Sequence, residues 1–248
     1  RVLGFRLPVT NPEREAPMPH VTVKAKDGGT FQAYVAMPAK TPAPGLVVIQ
    51  EIFGVNKVMR DLTDSFAAQG YVAICPDIFW RIEPGVDITD QSEAEWQKAF
   101  DLFGKFDVDL GVQDLIATLD HVRALPECTG KAGSVGYCLG GKLAYLMAAR
   151  SDSDANVSYY GVGLDGMIDE AGAIGKPYLS HVAENDGFVP PEAQAKFVPV
   201  LEQHPSATVH VYAGQDHAFA RVGGKHYDKA SADLANGRTR DFLAANLG

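Results

Sequence analysis

The sequence predicts an α/β domain with a mainly parallel central sheet, an N-terminal β-hairpin and helices on both faces. Three observations carry this. Short apolar runs such as Leu46-Val47-Val48-Ile49 read as strands buried on both faces. Helical periodicity separates them, most clearly in Val108, Val112, Leu115, Leu119 and Val122, at spacings of 4, 3, 4 and 3. The two kinds of segment alternate, as they do where parallel strands are joined by crossover helices.

Taken in order, Val21, Val23 and Ala25 alternate with Thr22 and Lys24, Asp27-Gly28-Gly29 is a turn, and Phe31 to Met37 returns as the second hairpin strand. The Leu46–Ile49 strand follows a Pro-rich turn at 41–44. A helix over 56–69 starts at Asn56 as cap, and a strand at 71–75 follows. Helices are predicted over 92–103 and 108–122, then a strand over 132–135 and a helix over 140–150. Strands at 157–160 and 178–182, a helix at 191–203, a strand at 208–212 and a final helix at 227–247 complete the pattern.

The length of 248 residues suits one large domain with a sizeable core, and 46% hydrophobic with 21% charged residues is ordinary for a soluble protein. A net charge of −9 speaks against a nucleic-acid surface or an anionic membrane, so no nucleic-acid or membrane partner is expected. No apolar run approaches the roughly 18 residues of a membrane helix. Arg1 to Pro19 hold no apolar signal-peptide core, and Met18 reads as an internal start. Residues 1–17 are therefore expected to be an N-terminal extension, ordered only in part, and 18–248 a single catalytic domain. Cys75, Cys128 and Cys138 make an odd count without metal-ligand spacing, which suits unpaired thiols in the cytoplasm and predicts no metal site.

The chemistry centres on Gly136-Tyr137-Cys138-Leu139-Gly140, after the apolar stretch Ala132 to Val135. It reads as a nucleophile elbow with cysteine in the usual place of serine. Glycines two positions either side leave room for the sharp strand-to-helix turn. A buried cysteine in a Gly-rich turn is the plainer alternative.

In a sheet of this kind, function gathers beyond the carboxyl ends of the strands. Cys138 follows one strand, Glu184-Asn185-Asp186-Gly187 the next but one, and Gly214-Gln215-Asp216-His217 the last. Nucleophile, acid, histidine is the chain order of the α/β-hydrolase fold. A thiol near neutral pH is mostly protonated, so it needs a base; His217 is the candidate base, and Asp186 would fix its tautomer. The helix after Cys138 points its positive end at the sulfur. Asp216 is the rival acid, but its adjacency to His217 turns it elsewhere, and turn or surface roles are the plainer readings of Asp186 and His217.

Glu51 stands at the end of the buried run Leu46–Ile49, where a carboxylate is costly unless used or paired. Its alternatives are a role in the site or an ion pair with an arginine such as Arg81. The backbone N–H groups of Ile52 and Leu139 are the candidate oxyanion donors.

After about residue 18 the chain resembles the dienelactone hydrolases (carboxymethylenebutenolidases). The resemblance rests on Gln50-Glu51-Ile52-Phe53-Gly54-Val55-Asn56, Cys75-Pro76-Asp77, Gly136-Tyr137-Cys138-Leu139-Gly140-Gly141, Tyr159-Tyr160-Gly161-Val162-Gly163 and His217-Ala218-Phe219-Ala220-Arg221. It implies Cys138 as nucleophile, Asp186 and His217 as its triad partners, and Glu51 as the group that holds the resting thiol and accepts its proton. It further implies a monomeric hydrolase without cofactor that opens an enol lactone to maleylacetate in aromatic-compound degradation.

The family grips its substrate carboxylate with two arginines. One position here is Arg221; the other is Trp96, a departure. Phe100 and Phe103 stand where tyrosine and tryptophan are expected, and Ala218 where serine is. Phe53 and Tyr160 are further candidate substrate contacts. The expected reaction is hydrolysis of dienelactone, or of a less charged or larger lactone or activated ester, through a thioester on Cys138. Losing one charge-assisted contact costs roughly 1.5–3 kcal/mol of binding, about ten- to hundredfold. Lys98 would compensate only by turning inward, against its helix position. The alternatives are a broad carboxylesterase, a non-catalytic ligand sensor on the same fold, and a redox thiol at Cys138.

Overall fold

The computed structural model describes residues 19–248, so the expected extension 1–17 lies outside the described residues. The chain enters through the hairpin β1 (His20–Lys24) and β2 (Thr30–Ala36), then runs β3 (Ala43–Ile49), α1 (Lys57–Ala68), β4 (Val72–Pro76), α2 (Glu93–Lys105), α3 (Val108–Arg123) and β5 (Cys128–Tyr137). It continues through α4 (Leu139–Arg150), β6 (Asn156–Tyr159), β7 (Tyr178–Ala183), α5 (Pro191–Glu202), β8 (Ala207–Tyr212) and α6 (Lys229–Leu247). The eight strands form one sheet in the order β1-β2-β4-β3-β5-β6-β7-β8. β1, β2 and β4 pair antiparallel, and β4 through β8 are parallel. This is the α/β-hydrolase fold with its N-terminal antiparallel hairpin.

Local chemistry sets the element ends. Asn56, Ser92, Asp107 and Asp228 cap α1, α2, α3 and α6, each side chain accepting a backbone N–H from inside the first turn. α4 is the central helix: Leu143 through Met147 are all buried, which is why it carries little polar face. β5 is longer than its apolar core suggests. Its first residues, Thr129 to Lys131, are exposed and show no alternation, yet Cys128 already pairs with Ala43. Two short 3-10 turns, Leu164–Gly166 and Ile168–Ala173, join β6 to β7 in place of a full helix. Among the described residues no helix is long and apolar enough to cross a membrane.

The topology places the site. The chain leaves β3 toward β4 on one side, then crosses back to β5 on the other side of β3. The gap between the carboxyl ends of β3 and β5 is thus the switch point of the sheet, where such folds open a crevice. Glu51 and Ile52 follow β3, and Cys138 follows β5.

Candidate active site

Cys138 is the single residue between β5 and α4, with φ 57° and ψ −113°. That conformation is strained for a residue with a side chain and persists only where its surroundings enforce it. A Cβ on Gly136 would lie 1.9 Å from the Gly140 carbonyl oxygen, and one on Gly140 would lie 2.3 Å from that of Ile49. Only glycines permit this approach, so the elbow is locked from both sides. The Cys138 N–H donates to the Tyr159 carbonyl at 3.0 Å. Among the described residues two other non-glycine residues have positive φ, Tyr160 and Ala218, and both flank the same site.

His217 is buried and donates from Nδ1 to Asp186, 2.8 Å from Oδ2 and 3.0 Å from Oδ1. Asp186 Oδ1 also accepts the Phe188 N–H at 2.8 Å, which fixes the carboxylate. Burial alone would lower the imidazole pKa; the charges of Cys138 and Asp186 outweigh it and raise it to about 10. Anionic neighbours favour the protonated ring, so removing one must lower its titration. In Cys138→Ala the midpoint of His217, followed by NMR of the imidazole C–H signals, is expected to fall clearly below that of the wild type.

Asp216 does turn elsewhere. Its Oδ1 accepts the backbone N–H groups of Gly187 (3.0 Å) and His217 (2.6 Å), tying the acid and histidine loops together. Arg81 is not the partner of Glu51; it pairs with Asp114 (2.8 Å) and Asp27 (2.6 Å). Glu51 pairs instead with Arg221, Oε2 to Nη1 at 3.1 Å, while its Oε1 is buried without a hydrogen-bond partner. Arg221 Nη2 also reaches Asp90 Oδ2 at 2.9 Å. Burial disfavours the guanidinium charge, and Glu51 more than restores it, so its pKa is raised.

Cys138 and His217 open on a cleft of about 220 Å³. Its walls are largely aromatic: Phe53 meets Trp96 edge-on at 5.0 Å, Trp96 stacks on Phe100 at 5.5 Å, and Phe188 sets its edge against His217 at 4.8 Å. Phe100, Phe103 and Phe188 are 45%, 38% and 49% exposed and give the cleft an apolar rim. Trp96 Nε1 donates to the Asp90 carbonyl at 3.0 Å, so the indole is fixed in this wall. Tyr160 stands apart from the cleft; it is buried, edge-on to His217, in a second cavity behind Glu51 and Arg221. Ile52 lines the cleft, and Leu139, as the first residue of α4, has an N–H with no intrahelical acceptor. Lys98 points away, paired with Glu83 at 2.6 Å.

Lys142, Val162 and Phe188 also line the cleft and were not anticipated. Lys142 had a signal: it lies one helical turn beyond Cys138, on the same face of α4. Phe188 had a weaker one, an apolar residue just after the Asp186-Gly187 turn. Asp90 had none.

The Dienelactone hydrolase family model matches residues 31–247. The chain belongs to the dienelactone hydrolase family. A relative from Azospirillum brasilense is 55% identical over 240 residues, covering 93% of this chain and 100% of that one. The carboxymethylenebutenolidase of Pseudomonas putida is 42% identical over 224 residues, covering 90% and 95%. A crystal structure from Klebsiella pneumoniae superposes with a TM-score of 0.80 at 25% identity, covering 91% and 97%. This dienelactone hydrolase family member is therefore a hydrolase of the ester- and lactone-cleaving kind, which sets aside the sensor reading. The redox reading loses its resolving thiol. Cys75 is sealed inside β4, and Cys128 opens β5 while Cys138 follows its far end, roughly 30 Å away along an extended strand.

Proposed function

We propose that the protein hydrolyses a lactone or activated ester through a thioester on Cys138. The observation that carries this reading is the line from the strained elbow cysteine to His217 and on to Asp186, opening on an aromatic cleft. The Cys138 thiolate attacks the carbonyl carbon, a C–S bond forms, and the carbonyl electrons move onto oxygen. The N–H groups of Ile52 and Leu139 receive that oxyanion. Collapse of the adduct expels the enolate or phenolate, which takes a proton from the His217 imidazolium. Water then adds to the thioester, His217 accepting its proton, and the C–S bond breaks to restore the thiolate.

A thiolate readily displaces a stabilised enolate or phenolate but not an amine, so lactones and activated esters are substrates and peptides are not. The wall formed by Phe53, Trp96 and Phe100 suits an apolar ring or acyl body. With Trp96 fixed in that wall and Arg221 already shared between Glu51 and Asp90, dienelactone itself is a poorer substrate than a less charged or larger lactone or ester. The unpartnered Oε1 of Glu51 supports a second route, in which Glu51 in place of His217 takes the thiol proton once Arg221 lets go and gives it up to the leaving group.

A panel of lactones and aryl esters tests this. Wild type is expected to turn over p-nitrophenyl acetate at least as well as dienelactone. Trp96→Arg is expected to raise kcat/KM for dienelactone about ten- to hundredfold. A wild type that strongly prefers dienelactone would contradict the assignment of specificity to Trp96.

A further inference from the structure

The charge of Lys142 is unanswered among the described residues. Its backbone N–H donates to the Cys138 carbonyl at 3.2 Å, so it rises from the same helical turn as the nucleophile. Its ammonium stands over Gly163, where a Cβ would lie 3.4 Å from Nζ. No hydrogen bond or salt bridge joins it to a described residue. The charge of Asp165 reaches it, but that carboxylate pairs with Lys196 at 3.5 Å. Burial lowers the Lys142 pKa, the mark of an ammonium partly removed from water. The other cation of the cleft, Arg221, is neutralised by Glu51 and Asp90. A partly desolvated cation without a counter-ion is unfavourable, and an anion brought by the ligand would relieve it.

We propose that Lys142 is a specificity-determining residue of this site, pairing with a substrate carboxylate remote from the scissile carbonyl. The proposal rests on the hydrolase reading of Cys138 and narrows it. Of the substrates proposed above it selects the larger and not the less charged: an apolar body against the aromatic wall and a carboxylate at the Val162–Gly163 side of the cleft, where Lys142 Nζ stands.

Two matched pairs of esters test it. p-Nitrophenyl hemisuccinate against p-nitrophenyl butyrate puts the carboxylate on the acyl side, and 4-acetoxybenzoate against 4-methylphenyl acetate puts it on the leaving group. In Lys142→Met the ratio of anionic to neutral kcat/KM is expected to fall about ten- to hundredfold in at least one pair, mainly through KM. Lys142→Arg should keep most of the wild-type ratio, which a merely structural role would not predict. Lys142→Gln repeats the test if the Met variant does not fold. Wild-type ratios retained in both pairs by the neutral variants would overturn the proposal while leaving the hydrolase reading intact. A wild type that cleaves none of the esters would overturn both.

Discussion

Hydrolysis by Cys138→Ala is expected to fall to the uncatalysed background, and Cys138→Ser to lose on the order of 10³-fold in kcat. The elbow explains why no neighbour can substitute. Cys138 is held at φ 57° by the Gly136 and Gly140 contacts, and its side chain is the only one in the turn facing both His217 and the cleft. Alanine leaves the oxyanion donors and the aromatic wall with no nucleophile. Serine keeps the position but replaces a thiol with a hydroxyl. A hydroxyl is far harder to deprotonate, so the base is mismatched to it. Steady-state rates with an unchanged circular dichroism spectrum check this. Near-normal turnover in the Ala variant would refute Cys138 as nucleophile.

Asp186→Asn is expected to lower kcat by on the order of 10³- to 10⁴-fold, with KM changed far less. The carboxylate accepts two hydrogen bonds at once, from the Phe188 N–H and from His217 Nδ1. An amide has one oxygen for both. If it stays on Phe188, the amide N–H₂ faces the imidazole and demands the opposite tautomer, turning the proton-accepting nitrogen away from Cys138. It also removes a charge that supports the imidazolium. Loss of less than tenfold would assign the acid's role to another group.

The fold was legible because its signals are local. Leu46 to Ile49 has no polar residue, so it reads as a doubly buried strand, and the Val108–Val122 spacing admits only a helix. The elbow was legible because sterics demand glycine at fixed offsets from Cys138, and Asp186 and His217 because topology puts function after strands. What stayed hidden depends on side-chain directions between distant segments. Glu51 reads from the sequence as a buried carboxylate in need of a partner, but Arg221 and Arg81 are both possible counter-ions on charge alone. The choice is made by Asp114 and Asp27 claiming Arg81. Tyr160 sits in a matching stretch, yet it lines the cavity beside the Glu51–Arg221 pair and not the cleft of Cys138. Lys142 is not legible because a lysine in the first turns of a helix ordinarily faces solvent; only the loop after β6, with Val162 and Gly163, folds over it and makes it part of the cleft.

The most direct measurement is intact-protein mass spectrometry of enzyme quenched in acid during turnover of a slowly deacylated aryl ester, followed by peptide mapping. The account predicts one acyl adduct, on the peptide carrying Cys138, released by neutral hydroxylamine as a thioester and missing in Cys138→Ala. An adduct on any other residue, or hydrolysis with an adduct still formed in Cys138→Ala, would contradict it.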